Sequence, residues 1–330
     1  MTNRLGTVLA LVVFTGAAAF GQAAPNTTLQ LITYSALKNR VKPQGELAAR
    51  VAAIDSAIRV ASQRGQTAEV RRLIARGTTI LNGREWTDTA DYRVSLVLRA
   101  DRVFVDPTQP YTVRLEQTYA PDFAPQGSLK AVATIRPGAI AQVAPGAARR
   151  LGTYTEVARD LRDSPLRMDL DLAGAPDGEY AIRVDVADST RAVGFAGLRI
   201  VVVKGLIARL ASLDTQAGTA PEALRADIRF PGDVVRRMDR GVIPIGQFDV
   251  TTELAAAESV AAGAKAGRDI FAARTGGFER HYVLDAAGEI MPYRVFVPAR
   301  YDGKAAMPLT VALHGAGGNE DSFMDLYGRQ

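Results

Sequence analysis

Apolar positions follow three rhythms along the chain. In GELAARVAAIDSAIRVASQRG, Leu47, Val51, Ile54 and Ile58 recur at intervals of four, three and four, which puts them on one face of a helix beginning after Gly45. GQTAEVRRLIARG continues with Val70, Leu73 and Ile74 as its apolar side, and Gly65 separates the two segments. Together they predict a helical hairpin within residues 22–84. Arg71, Arg72 and Arg76 lie on the second helix; such a cluster more commonly marks a solvated face than an anionic partner.

From Tyr92 the period shortens to two. Val94, Leu96 and Leu98 share one face, as do Tyr111, Val113 and Leu115, then Leu129, Ala131, Ala133 and Ile135, and then Met168, Leu170 and Leu172. The clearest alternation is Tyr180, Ile182, Val184 and Val186 after the turn Pro176-Asp177-Gly178, and Leu198, Ile200 and Val202 close the series. About six such strands predict an antiparallel β-sandwich of the immunoglobulin-like kind over residues 85–204. Within it, Asp169 and Asp171 read as the outer face of a strand, and Trp86, at the entrance, reads as a packing residue rather than a sugar-stacking platform.

Residues 205–275 return to helical character in LIARLASL, PEALRADIRF and TTELAAAESVAAGAKAGRDIF, and predict a helical connector in which Pro231 ends or kinks the middle helix. Residues 276–330 then change again. A strand at Tyr282 to Leu284, a turn at Ala287 and Gly288, and a strand from Ile290 to Val297 form a hairpin. The unbroken apolar run Leu309 to Leu313 reads as a buried central strand.

Composition narrows the partners. The 330 residues are 47% hydrophobic and 23% charged, enough for a sizeable core in two or three domains. A net charge of +5 from 40 basic and 35 acidic residues, with no single-sign block, lacks the footprint of a nucleic-acid binder. The opening MTNRLGTVLALVVFTGAAAFGQAAP has Arg4, an apolar stretch from Leu5 to Phe20 and then small residues, which predicts a signal peptide over residues 1–21. Cleavage is expected after Gly21, with Ala23 and Ala24 as neighbouring sites. Gly6, Thr7 and Gly16 interrupt the stretch, which is short for a bilayer needing about 20 apolar residues. The mature protein is therefore expected to be secreted or periplasmic, without a stable membrane span.

Cysteine is absent, which excludes thiol catalysis and cysteine metal sites, and His281 and His314 are the only histidines. No metal or organic cofactor is implied.

The chemistry gathers after Leu313. His314, Gly315, Ala316, Gly317 and Gly318 form a loop with unobstructed backbone N–H groups, the requirement for stabilising a developing oxyanion. Asn319 can cap a helix with Glu320 and Asp321 in its first turn and Phe323, Leu326 and Tyr327 on its apolar side.

The stretch PYRVFVPARYDGKAAMPLTVALHGAGGNEDSF resembles the start of an α/β-hydrolase domain, most like secreted esterases and polyhydroxyalkanoate-depolymerase-type enzymes with an HG-x-GG loop. The resemblance covers about the last fifty residues. It implies that the N–H of Ala316, with Gly317 beside it, serves the oxyanion hole, that Gly315 and Gly318 shape the loop, and that His314 supports it without being the catalytic base. It also implies an ester-containing small molecule or polymer as substrate. No G-x-S-x-G occurs anywhere in the chain, so the nucleophile and triad are missing. The expectation is the N-terminal part of a longer exported serine hydrolase, with the 330 residues inactive alone and the helix at Asn319 cut at Gln330.

Two other functions stay open at this point: a secreted binding protein whose sandwich holds a polymer or protein partner, and a prolyl-oligopeptidase-like peptidase. Ser35 and Lys38 match S-x-x-K without the partner motifs of penicillin-binding enzymes, and Ser322 has no elbow around it.

Overall fold

The computed structural model describes residues 27–123, 125–138, 148–304, 306–315 and 318–322. The expected signal peptide lies outside them. The described chain is a mixed helix and sheet protein with three separate hydrophobic cores.

The first core belongs to a layer of three helices, α1 (Thr27–Val41), α2 (Gly45–Gln63) and α3 (Thr67–Leu81), rather than the expected hairpin of two. Val51, Ile54, Ile58, Val70, Leu73 and Ile74 line it as their spacing requires. Tyr34 of α1 enters this core because Gly77 of α3 makes room, since a Cβ there would meet the tyrosine ring at 2.6 Å. The Tyr34 hydroxyl donates to Asp55, whose other oxygen accepts from Lys38 at 2.6 Å. That pairing occupies the lysine of the S-x-x-K match, while Ser35 faces solvent.

Tyr92 and Val94, expected on a strand, are helical. They lie on α4 (Asp88–Ser95), where the Thr87 hydroxyl accepts from the Ala90 N–H and Asp88 and Asp91 sit in the first turn, so capping overrides the short alternation. Arg72 is not a solvated cation either. It grips buried Asp91 with two hydrogen bonds at 2.8 and 2.7 Å and reaches Asp122 at 2.9 Å, tying the helical layer to α4 and to the segment around Asp122. Trp86, between α3 and α4, is half-buried.

Among the described residues the middle region has eight strands, β1 (Leu96–Ala100), β2 (Phe104–Val105), β3 (Tyr111–Gln117), β4 (Leu129–Pro137), β5 (Arg149–Val157), β6 (Leu166–Leu170), β7 (Gly178–Ala187) and β8 (Ala192–Val202). They make a three-stranded sheet in the order β1-β3-β6 and a five-stranded sheet in the order β2-β8-β7-β4-β5. Leu98, Val113, Leu115 and Met168 of the first share one core with Ala133, Ile182, Val184 and Ile200 of the second. All pairings are antiparallel except β2 with β8, which runs parallel and corrects the expectation of a purely antiparallel arrangement. Asp169 and Asp171 face outward as their alternation implies.

The third core forms around α5 (Leu206–Thr219), α6 (Glu222–Asp239) and α7 (Val250–Lys265), with Ile290 of the terminal hairpin completing it. Pro231 does not end α6, which runs eight residues past it. The proline lacks the N–H that would bond the carbonyl of Asp227, a local cost that burial of Ile228, Phe230, Val234 and Val235 offsets. The hairpin comprises β9 (Gly276–Leu284) and β10 (Glu289–Val297), so its first strand begins earlier than Tyr282.

Helix α6 holds its neighbours through three carboxylates. Asp227 accepts from the His281 N–H at 2.9 Å, Asp233 from the Ile290 N–H at 3.2 Å, and Asp239 from the Val103 and Phe104 N–H groups at 2.6 and 3.2 Å. Successive members are six residues apart, so they leave the helix about 120° from one another. Two clasp the hairpin while the third reaches the entrance of β2. His281 pairs with Pro292, and because its N–H points away to Asp227, the proline at that register forfeits no ladder bond.

Leu309 to Leu313 are not a strand. They lie outside every sheet among the described residues, with Leu309, Val311 and Leu313 exposed at 88%, 74% and 85%. A central strand takes hydrogen bonds from a neighbour on each side, and no described strand flanks this segment.

The α6 carboxylates make a stability prediction. Asp239→Ala leaves the Val103 and Phe104 N–H groups unsatisfied and is expected to cost about 1–3 kcal/mol by urea unfolding at pH 7, and Asp239→Asn less. Burial raises the Asp239 pKa, and the two N–H bonds only partly oppose it. A raised carboxyl favours the protonated folded form, so wild type should gain stability relative to Asp239→Asn as pH falls from the raised value toward the ordinary carboxylate range.

Candidate functional site

Two groups with displaced pKa values, His281 and Glu253, meet two further carboxylates where α6, α7 and β9 converge. On α6, Asp227 is buried by the apolar residues around it and faces β9. On β9, Glu279 and His281 are two apart and so share a face of the strand. Glu253 stands in the first turn of α7, whose N-terminus is capped by Asp249.

The His281 ring is fixed on three sides. Its plane stacks on Phe230 with centroids 3.8 Å apart, its Nδ1 lies 3.1 Å from Asp227 Oδ1, and its side chain is only 9% exposed. Arg280 Nε donates to the other Asp227 oxygen at 3.0 Å, which balances the buried charge. A carboxylate can only accept, so the Nδ1 next to Asp227 carries the proton. Nε2 then points at Glu279 Oε1, 3.1 Å away, yet it is buried and makes no hydrogen bond of acceptable angle.

Negative charge accumulates around Nε2. Burial, followed by the charge of Glu279, pushes the Glu253 carboxyl up to about 7, with Asp249 and Glu320 adding to the shift and His281 opposing it. Glu320 is raised by its own burial and by Glu279 and Asp321. Burial would lower the His281 pKa, but the Asp227 and Glu279 carboxylates outweigh it and hold the imidazole above its ordinary value.

Glu320 brings the glycine loop to the same place. The loop approaches the hairpin through Arg294, which pairs with Asp321 at 3.1 Å. Asn319 caps the turn after it, its side chain accepting from the Ser322 N–H at 3.1 Å, while Ser322 Oγ accepts from the Asn319 N–H at 2.9 Å. His314 and Gly315 are exposed, and the Gly318 N–H donates to the Gly315 carbonyl at 3.1 Å. Ala316 and Gly317, the expected oxyanion donors, lie outside the described residues, as do Phe323, Leu326 and Tyr327.

An Asp-His pair can serve a nucleophile, but here Nε2 faces a carboxylate instead of a hydroxyl. The arrangement suits holding a positive charge between His281 and the glutamates. Two shallow clefts elsewhere, around Arg71, Arg93, Val94 and Leu96, contain no carboxylate or histidine in their linings. Sequence reasoning treated His281 only as one of two histidines and missed Asp227, Glu253 and Glu279. The E-x-H spacing on a strand was the one available signal, since the other two residues arrive from distant helices.

No family model matches the chain, and no curated protein matches it. Among solved structures, a superoxide reductase (neelaredoxin) from Ignicoccus hospitalis aligns at 13% identity and a TM-score of 0.24, covering 32% of this chain and 80% of that one. The catalytic domain of an LPMO from Listeria monocytogenes aligns at 14% identity and a TM-score of 0.25, covering 31% and 60%. The PKD domain of an M14-like peptidase from Thermoplasmatales archaeon SCGC AB-540-F20 aligns at 10% identity and a TM-score of 0.21, covering 33% and 96%. Likenesses this weak decide neither fold nor activity. No helix among the described residues is long and apolar enough to cross a membrane.

The His281 environment is testable by NMR titration in the presence of EDTA. The imidazole should titrate above the ordinary histidine value of about 6.5, and Asp227→Asn should bring it down, because burial then meets one carboxylate fewer. The raised pKa also fixes the sign for stability: His281 contributes fully below the unfolded pKa, and its contribution is lost as pH rises through the folded one.

Proposed function

We propose that this chain is the N-terminal part of an exported serine hydrolase, acting on a carboxylic ester, in which an immunoglobulin-like sandwich and a helical connector precede the first strands of an α/β-hydrolase sheet. The observation that carries the reading is the exposed apolar segment. An antiparallel hairpin, β9 and β10, is followed by Leu309, Val311 and Leu313, exposed at 74–88%, which run straight into His314 and Gly315. Burying such a side chain is worth about 1.5–3 kcal/mol, so leaving three outside forgoes several. Flanking parallel strands and covering helices would recover that energy, and the order hairpin, apolar strand, HG-x-GG loop is the one the resemblance requires. Ala316 N–H would then help hold the oxyanion, with Gly317 beside it and His314, Gly315 and Gly318 shaping the loop.

The nucleophile would come from outside these residues, because no G-x-S-x-G occurs among them. Ester and peptide substrates share the same tetrahedral chemistry, so the same loop would serve either, and the pocket around the nucleophile would separate them. Export rests on the layered opening of residues 1–21.

The test is expression of the complete reading frame containing this sequence, followed by a fluorophosphonate probe and p-nitrophenyl butyrate. The probe should label a serine beyond residue 330, turnover should vanish when that serine becomes alanine, and the 330 residues alone should give no turnover above buffer. A complete frame that is neither labelled nor active would refute the reading.

A further inference from the structure

The His281 cluster poses a question that ester hydrolysis leaves unanswered. With its proton on Nδ1 toward Asp227, a neutral His281 directs the Nε2 lone pair at Glu279 Oε1 from 3.1 Å. Two acceptors at that separation repel unless something positive lies between them. A proton on Nε2 fills that role when the imidazole is charged; when it is neutral, the buried nitrogen has no hydrogen-bond partner among the described residues, and a cation can take the proton's place. Glu253 closes the third side from α7: one donor atom each from Glu253, Glu279 and His281 lies within 4.8 Å of the others.

We propose that Glu253, Glu279 and His281 form a divalent-cation site that ties α7 to β9. One imidazole nitrogen and two carboxylate oxygens suit zinc or manganese, and thiolate-seeking metals have no ligand here. Bonds of about 2.0–2.2 Å place neighbouring donors roughly 3–4 Å apart, so rotation of the two glutamates would complete the set, with water in the remaining positions. Asp227 supplies what a metal-binding histidine needs behind it, a carboxylate that accepts from the distal N–H and fixes the ring. Phe230 holds the ring plane, so the nitrogen is presented without loss of side-chain freedom.

The role is structural. The site joins the helical connector to the hairpin and lies beside Glu320 of the turn after the glycine loop, so a bound ion would stiffen the platform on which that loop sits. The inference does not rest on the hydrolase reading and stands or falls by a different measurement.

The test uses the full chain without a histidine tag, stripped with EDTA and titrated with zinc chloride and, separately, manganese chloride by calorimetry. One ion per chain should bind saturably and raise the unfolding temperature, and zinc should shift the His281 imidazole nitrogen resonances. Glu253→Gln and Glu279→Gln should each weaken uptake by about tenfold or more, while the metal-free variants keep the wild-type circular dichroism. If one variant misfolds, the other and the His281 resonances still decide. Absence of stoichiometric uptake by wild type, or uptake with unchanged affinity in the glutamine variants and no change at His281, would overturn the proposal.

Discussion

Buried and half-buried carboxylates on α6 hold the helical connector to the hairpin and to the entrance of β2. Asp227, Asp233 and Asp239 each accept backbone N–H groups from a different strand or strand entrance, and the first two also engage Arg280 and Arg236. A strand edge facing a helix carries N–H groups that water no longer reaches, and leaving them unpaired is costly. Apolar side chains could bury the same surface, yet they could not satisfy those donors. The carboxylates do so at the expense of desolvation, which is why Asp227 and Asp233 also carry arginine partners and why Asp239, less well compensated, is shifted upward.

This arrangement explains why the electrostatic peculiarities lie where they do. Clasping the hairpin with Asp227 fixes the His281 backbone and ring together, and the strand's two-residue repeat then sets Glu279 beside Nε2. Helix α7 packs against α6 and brings Glu253 to the same point. The concentration of negative charge is thus a by-product of stapling one helix to one ribbon. It costs stability unless a proton or cation occupies it, which links the architecture to the site.

Much of the architecture was legible in the sequence, because burial writes itself as periodicity. The alternation of Val184 and Val186, and the four-three-four spacing of Leu47, Val51, Ile54 and Ile58, needed no structure to interpret. What escaped had a physical reason. Strand β5 is exposed along most of its length, so Arg149 to Val157 show no apolar alternation. Tyr92 and Val94 alternate like a strand, but Thr87 and the acidic first turn commit them to α4. Pro231 suggested a helix end or kink, and α6 does not end there because residues on both sides of it are buried. Leu309 to Leu313 show the converse, a strong strand pattern without neighbours to complete it. The site was almost invisible because Asp227, Glu253 and His281 come from three elements whose meeting depends on tertiary packing.

Amide hydrogen exchange at Val103, Phe104, His281 and Ile290 tests the stapling account most directly. If the α6 carboxylates hold these groups, all four amides should exchange only with global unfolding, as slowly as the amides in the centre of β7 and β8. Fast exchange at these four positions while β7 and β8 stay protected would contradict it.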